Sequence, residues 1–299
     1  MAIGTVTSVP TTVALTISLL TAGLAGSSSE VTELTASPSG RTVSVSGMAR
    51  FGQEPVVVGV DAPNDNGGGE ALGGAGVDIR ELRISQPDGS SRTLLFTIRL
   101  AGLAGGGLPE SIQYNWDIAV DGTTRWSIKS ARSSQYHRPG SLDPYAGVFS
   151  CVQDPTSGAF TCTQRGSVPA VYDAAEAEIR IAVPFTLIGA SPGARISAWP
   201  RNVAPVWVQP AVAGAVTPGV TVDTATHADF AVPTPTVRLG IAPAGTTEGN
   251  VSFAREATLN PDGRFAGSVT APSAGAYDVW ARACLGASCG ARSQRVTTT

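Results

Sequence analysis

The stretch Tyr114-Asn115-Trp116-Asp117-Ile118-Ala119-Val120, followed by Asp121-Gly122-Thr123 and then Thr124-Arg125-Trp126-Ser127-Ile128, decides the fold. Large apolar residues alternate with polar or small ones on both sides of a turn, the pattern of β-strands with one face in a core. The loop length follows from the same residues. A two-residue loop would set Ile118 against Arg125 and Trp116 against Ser127. A three-residue loop, Asp121-Gly122-Thr123, pairs Ile118 with Trp126 and Trp116 with Ile128, so that every large apolar group shares one face. The three-residue loop with Gly122 at positive φ is therefore expected, and both tryptophans belong to a core.

The same rhythm runs outward. Leu82 and Ile84 begin a strand, and Leu94, Phe96, Ile98 and Leu100 alternate with Thr93, Leu95, Thr97 and Arg99. Ala177, Ile179, Ile181 and Val183 alternate with Glu176, Glu178 and Arg180, which reads as a half-buried strand with a solvated acidic face. Composition agrees. The 299 residues include 35 glycines and 21 prolines and are only 14% charged. Long helices need more Glu, Lys and Arg than this, yet the glycine and proline content stays below that of disordered chains. Coiled coils and helical bundles are excluded. A net charge of −3, with Lys129 the single lysine among 20 basic residues, leaves no footprint for nucleic acid.

Residues 217–236, rich in Thr, Pro and Asp and containing Pro233-Thr234-Pro235, read as a linker. It separates a large antiparallel β-sandwich, residues 31–216, from a small one, residues 237–299, whose short strands surround the turn Asn260-Pro261-Asp262-Gly263. Within the latter, Gly275-Ala276-Tyr277-Asp278-Val279 resembles the penultimate strand of bacterial immunoglobulin-like domains. The expected fold is thus all-β, a large antiparallel β-sandwich followed by a small immunoglobulin-like β-sandwich. Residues 1–30 admit two readings. An apolar stretch from Val13 to Leu20 before small residues suits a signal segment, whereas the alternation of Val13, Leu15, Ile17 and Leu19 suits an N-terminal strand. The ~20 consecutive apolar residues of a membrane-spanning helix are absent from the stretch.

The cysteines form two close pairs, Cys151 with Cys162 and Cys284 with Cys289. Of three pairings, the local one fits two hairpins stapled across their strands. It points to an oxidising compartment and hence to a secreted or cell-surface protein. Four reduced cysteines in a cytosolic protein is the alternative. Zinc spacing is lacking, since His137 and His227 are the only histidines.

Catalytic patterns fare poorly. Gly189-Ala190-Ser191-Pro192-Gly193 matches a nucleophile elbow in letters, but Pro192 has no N–H for an oxyanion hole. Glu176 and Glu178 are explained by a strand face, Asp117 by an exposed strand position and Asp121 by a turn. The more distinctive feature is the glycine-rich loop carrying Asp61, Asn64, Asp65 and Asp78, whose carboxylates, amide and carbonyls are the oxygen ligands calcium takes. An ordinary solvated turn uses the same residue types.

Asp61 through Asp65, then Asp78-Ile79 opening a strand, then the hairpin with Trp116 and the Asp121-Gly122 turn, resemble DOMON-like sandwiches that include family 9 carbohydrate-binding modules, over residues 50–215. The resemblance implies an extracellular sandwich that binds sugar or, in other branches, haem, sometimes with structural calcium at the acidic loop. Sugar binding in such modules uses exposed aromatics. With Trp116 and Trp126 assigned to a core, the candidates are Tyr136, His137, Tyr145, Trp199 and Trp207. Haem is not expected, because Met48 and His137, the one axial pair on offer, have simpler explanations as core filler and loop residue. The function expected is a non-catalytic secreted or cell-surface binding module with polysaccharide as the leading ligand. The competing reading is a structural or adhesive surface protein with protein partners, and an extracellular enzyme is third.

Overall fold

The computed structural model describes residues 29–63, 78–86, 92–103, 112–122, 124–131, 145–158, 160–199, 206–210, 223–290 and 294–298. The chain enters through the hairpin β1 (Glu30–Ser39) and β2 (Thr42–Arg50). Next come β3 (Val56–Val60), β4 (Ile79–Ser85), β5 (Thr93–Leu100), β6 (Ile112–Val120), β7 (Thr124–Ala131), β8 (Tyr145–Gln153) and β9 (Phe160–Ser167). These lead into β10 (Ala170–Asp173), β11 (Glu178–Pro184), one helical turn α1 (Phe185–Ile188), β12 (Arg195–Ala198), β13 (Val206–Pro210), β14 (Asp223–Ala225) and β15 (Phe230–Ala231). The last group is β16 (Pro235–Pro243), β17 (Arg255–Glu256), β18 (Thr258–Leu259), β19 (Arg264–Thr270), β20 (Tyr277–Leu285), β21 (Ser288–Cys289) and β22 (Gln294–Thr298). The protein is all-β, as its alternating sequence requires.

The central hairpin has the predicted register. Trp116 pairs with Ile128 and Ile118 with Trp126, Val120 pairs with Thr124 across the three-residue loop, and Gly122 has φ 73°. Around it the larger sandwich closes. One sheet runs β10-β11-β5-β4-β3, and the other runs β14-β13-β6-β7-β8-β9, with β12 also pairing β6. Their facing side chains, among them Leu82, Phe96, Ile98, Trp116, Ile118 and Ile181, form one buried cluster. Phe96 meets Trp116 edge-on across it, ring centroids 5.0 Å apart, the arrangement aromatic quadrupoles favour.

The smaller sandwich is assembled from both ends of the chain. Its sheets are β1-β2-β19-β18 and β17-β16-β20-β21, with β22 on β20. Register partners along β2 and β19 run from Met48 and Arg264 to Thr42 and Thr270. Val31, Val43, Val45 and Phe51 from the first part share a core with Val237, Leu239, Phe265 and Val279 from the last. The expected boundary at residue 31 is therefore corrected: the first hairpin packs with the C-terminal strands, and the larger sandwich is inserted between β2 and β16. The turn at Asn260-Pro261-Asp262-Gly263 seals the join. Gly263 has φ 87°, and its carbonyl accepts from Ala49 N at 2.8 Å. A Cβ on Gly263 would lie 2.6 Å from Ala49 O, so only glycine fits.

The expected linker is corrected as well in its described part. Asp223–Ala225 pair with β13, Phe230 and Ala231 with β12, and Ala225, Phe230 and Val232 are buried in the larger core. Their strands are too short for alternation to show through the Thr and Pro around them. Residues 1–28, on which the signal-or-strand question falls, lie outside the described residues. No helix among the described residues is long and apolar enough to cross a membrane.

Both cysteine pairs are disulfides, Cys151–Cys162 and Cys284–Cys289. Each joins residues that are direct register partners on adjacent strands, β8 with β9 and β20 with β21.

Candidate functional site

β6 is buried along its whole length on both faces. Tyr114, Trp116 and Ile118 fill the core, so period-2 geometry sends Gln113, Asn115 and Asp117 to the outer face of the eight-stranded sheet. That face should carry the solvated residues. Instead Gln113, Asn115 and Asp117 are all buried, none more than 2% exposed. Asp117, read from sequence as an exposed strand position, is corrected accordingly.

Buried polar groups need partners, and this face supplies several. Gln113 donates an amide hydrogen bond to Asn115 Oδ1, and the Arg125 guanidinium pairs with the Asp117 carboxylate. Arg125 also lies over the Phe160 ring, 4.1 Å from its centroid. Lys129 Nζ stands 4.8 Å from the centroid of Phe149, a cation on an aromatic face. Burial holds the Lys129 ammonium below its ordinary pKa and the neighbouring Arg125 adds to the effect, while Asp117 opposes it.

Strand register lines these residues into rows across the sheet. Trp207 of β13 is opposite Asn115, Asn115 opposite Lys129, and Lys129 opposite Gly147 of β8. In the next rows Gln113 is opposite Ala131 and Ala131 opposite Tyr145, and Asp117 is opposite Ser127 and Ser127 opposite Phe149. From β13 to β8 the rows cross three strand spacings, about 14 Å. Trp199, just beyond β12, donates its backbone N–H to Asp117 O at 3.2 Å. Its indole N–H is buried and has no acceptor among the described residues.

Of the aromatic candidates, then, the fold brings strand positions Tyr145 and Trp207 and the half-buried Trp199 to one sheet, around Asn115, Asp117 and Lys129. Tyr136 and His137 lie outside the described residues. Met48, the other half of the haem pair considered above, sits on β2 in the smaller sandwich, lining a cavity of about 440 Å³ with Phe51 and Arg50. That cavity holds none of the aromatic candidates. Gln113, Asn115, Arg125 and Lys129 were not among the candidates read from sequence, and Asp117 was read only as an exposed strand position. The signal was available, since the three-residue loop itself sets Lys129 against Asn115 and Arg125 one pair away from Asp117. Complementary polar groups facing each other across strands differ from a merely solvated face.

The opposite sheet repeats the lesson. Glu178, read as solvated, is 4% exposed and is held by Arg83 at 3.0 Å and Arg180 at 2.7 Å. Glu176 falls in the turn before β11 and is exposed. The two do not form a carboxylate pair on one strand. The Gly189–Gly193 stretch is a turn, both glycines at positive φ.

At the acidic loop, Asp78 is buried and its Oδ2 accepts from Arg80 at 2.8 Å. Asp61 begins the segment, its N–H bonded to Arg80 O at 3.1 Å. Asn64 and Asp65 lie outside the described residues. Among the described residues no three His, Cys, Asp or Glu side chains cluster as a metal site. Asp61 and Asp78 alone, with Asp78 engaged by a guanidinium, do not make the oxygen cage calcium requires.

Compared with family models, curated proteins and solved structures, the chain matches none.

Proposed function

We propose that the larger sandwich is an extracellular, non-catalytic binding module for polysaccharide and that the outer face of its eight-stranded sheet is the binding surface. One observation carries the reading: a row of buried amide and carboxylate side chains, Gln113, Asn115 and Asp117, on a face where strand geometry alone predicts solvated residues. A sheet face fixed from beneath by buried planar donors and acceptors offers a rigid platform to a sugar ring, with the half-buried Lys129 and Trp199 alongside. The disulfides support an extracellular setting. The DOMON-like resemblance of this region and the immunoglobulin-like resemblance of the smaller sandwich accompany the proposal. The latter is supported by Tyr277, whose hydroxyl donates to Ser273 O at 3.0 Å and accepts from Ser273 N at 3.1 Å, the local geometry of a tyrosine corner.

A glycan array tests the proposal, performed on the intact chain because a 31–216 fragment would remove β1 and β2 from their partners. Retention of one or more glycans, lost on Asn115→Ala, is the expected result. An empty array would favour the second reading, a structural or adhesive surface protein with protein partners. The observation behind that alternative is edge strand β3, where Val57 and Val60 are 50% and 72% exposed. A structural calcium at the 61–78 loop is a further proposal, resting on Asn64 and Asp65 beside Asp61. Chelation should then lower the melting temperature, and an unchanged melt would remove calcium from consideration.

A further inference from the structure

Lys129 is the only lysine in a chain with 20 basic residues, and it stands in the middle of the polar face just described. Asn115 is its register neighbour on one side and Gly147 on the other. Its ammonium has an aromatic ring beneath it and, among the described residues, no hydrogen bond or ion pair. Asp117, whose charge acts on Lys129, is already paired with Arg125. An ammonium withdrawn from water ordinarily acquires an anionic partner or gives up its proton. Lys129 is thus, among the described residues, a positive charge without a carboxylate of its own, in a protein whose net charge is −3. Gly147 adds no side chain beside it to occupy the place a partner would take.

We propose that the ligand of this face is an anionic saccharide whose carboxylate or sulfate group seats on Lys129. The inference rests on the polysaccharide reading and narrows its ligand class, with the half-buried Lys129 taking the acid group. The general acidity of the chain works against indiscriminate binding of polyanions, so retention by one would be a local property.

Two experiments on the intact chain test it. Reductive methylation with labelled formaldehyde marks Lys129 and the N-terminal amine alone, giving one side-chain NMR signal. Sodium galacturonate should move that signal and raise its titration midpoint, because an anion favours the charged amine, while galactose should not. A signal indifferent to galacturonate and to sodium sulfate overturns the proposal. Affinity electrophoresis then compares polygalacturonate, its neutral methyl ester and a sulfated galactan, the two anionic gels separating carboxylate from sulfate. The expected preference for an anionic polymer over the ester is roughly tenfold, the scale of one charge-assisted hydrogen bond. It should be lost in Lys129→Gln and kept in Lys129→Arg. Equal retardation by ester and acid, or a preference that survives Lys129→Gln, overturns this inference and leaves the polysaccharide reading standing. No retardation in any gel, with an empty glycan array, overturns both.

Discussion

Replacing Val45 by alanine, near the N-terminus, should destabilise strands 190 to 240 residues further along the chain. Val45 is 2% exposed, its register partners are Ala36 on β1 and Gly267 on β19, and it shares a core with Leu239 on β16. The contact across the sheets is close: a Cβ on Gly267 would come within 2.7 Å of Leu239 Cδ1. Removing two methyl groups forfeits about 1.6 kcal/mol of transfer free energy. A core this tightly closed collapses little, so the residual cavity raises the loss to about 2.5 kcal/mol. For a unit the size of the smaller sandwich, that is a fall in Tm of roughly 10 °C. Hydrogen exchange locates the damage. Protection should drop in β16, β19 and β20, as it should for Val279→Ala, while β6 and β7 in the other core keep theirs. If Val45→Ala instead exposes β6 and β7 and spares β19, the N-terminal hairpin does not belong to the smaller sandwich and the assembly described above is wrong.

Three further outcomes are expected. His227 packs against Trp116, ring centroids 5.7 Å apart, and its Nδ1 bonds Ala228 O at 2.8 Å; burial holds its pKa below the ordinary value despite Asp229 nearby. The neutral ring is thus the folded form, so stability is full above about pH 6.5 and declines as pH falls toward the folded pKa. Denaturation midpoints measured from pH 7.5 to 5 should slope less in His227→Gln, and an identical slope would discard this account. Asp117→Ala leaves Arg125 without its carboxylate and should cost about 3 kcal/mol, read by urea denaturation; a change below about 0.5 kcal/mol would mean that the pair is exposed in solution. Replacing Cys151 and Cys162 together by serine releases a crosslink of sequence separation 11, costing about 3 kcal/mol on the chain-entropy account. Peptide mapping without reductant that finds either cysteine free would contradict the pairing itself.

Local rules recovered what is locally determined. The register of β6 and β7 follows from a three-residue turn between two apolar series, and the disulfides from cysteines close enough in sequence to lie across single hairpins. The partner of β2 could not be read in this way. Val43 and Val45 announce a strand with one buried face, but nothing in their spacing says that the buried face meets β16 and the edge meets β19. Asp117 and Glu178 show a related blindness. Alternation assigns a residue to one side of a sheet, while burial of that side depends on what crosses it. The short strands β14 and β15 failed for a third reason, being two or three residues long and so too short for the two-residue alternation to repeat.

The discontinuous smaller sandwich has a consequence for synthesis. β2 is complete at Arg50, and the strand that covers its edge begins at Arg264. At about 5–20 residues per second the ribosome needs roughly 10–40 s to make the intervening chain. During that interval the first hairpin must persist with its Val43 and Val45 face uncovered, while the larger sandwich, whose strands are all made in between, can close on itself. Assembly is thus ordered by the chain: the inserted body forms first, and the unit that encloses it in sequence is finished last.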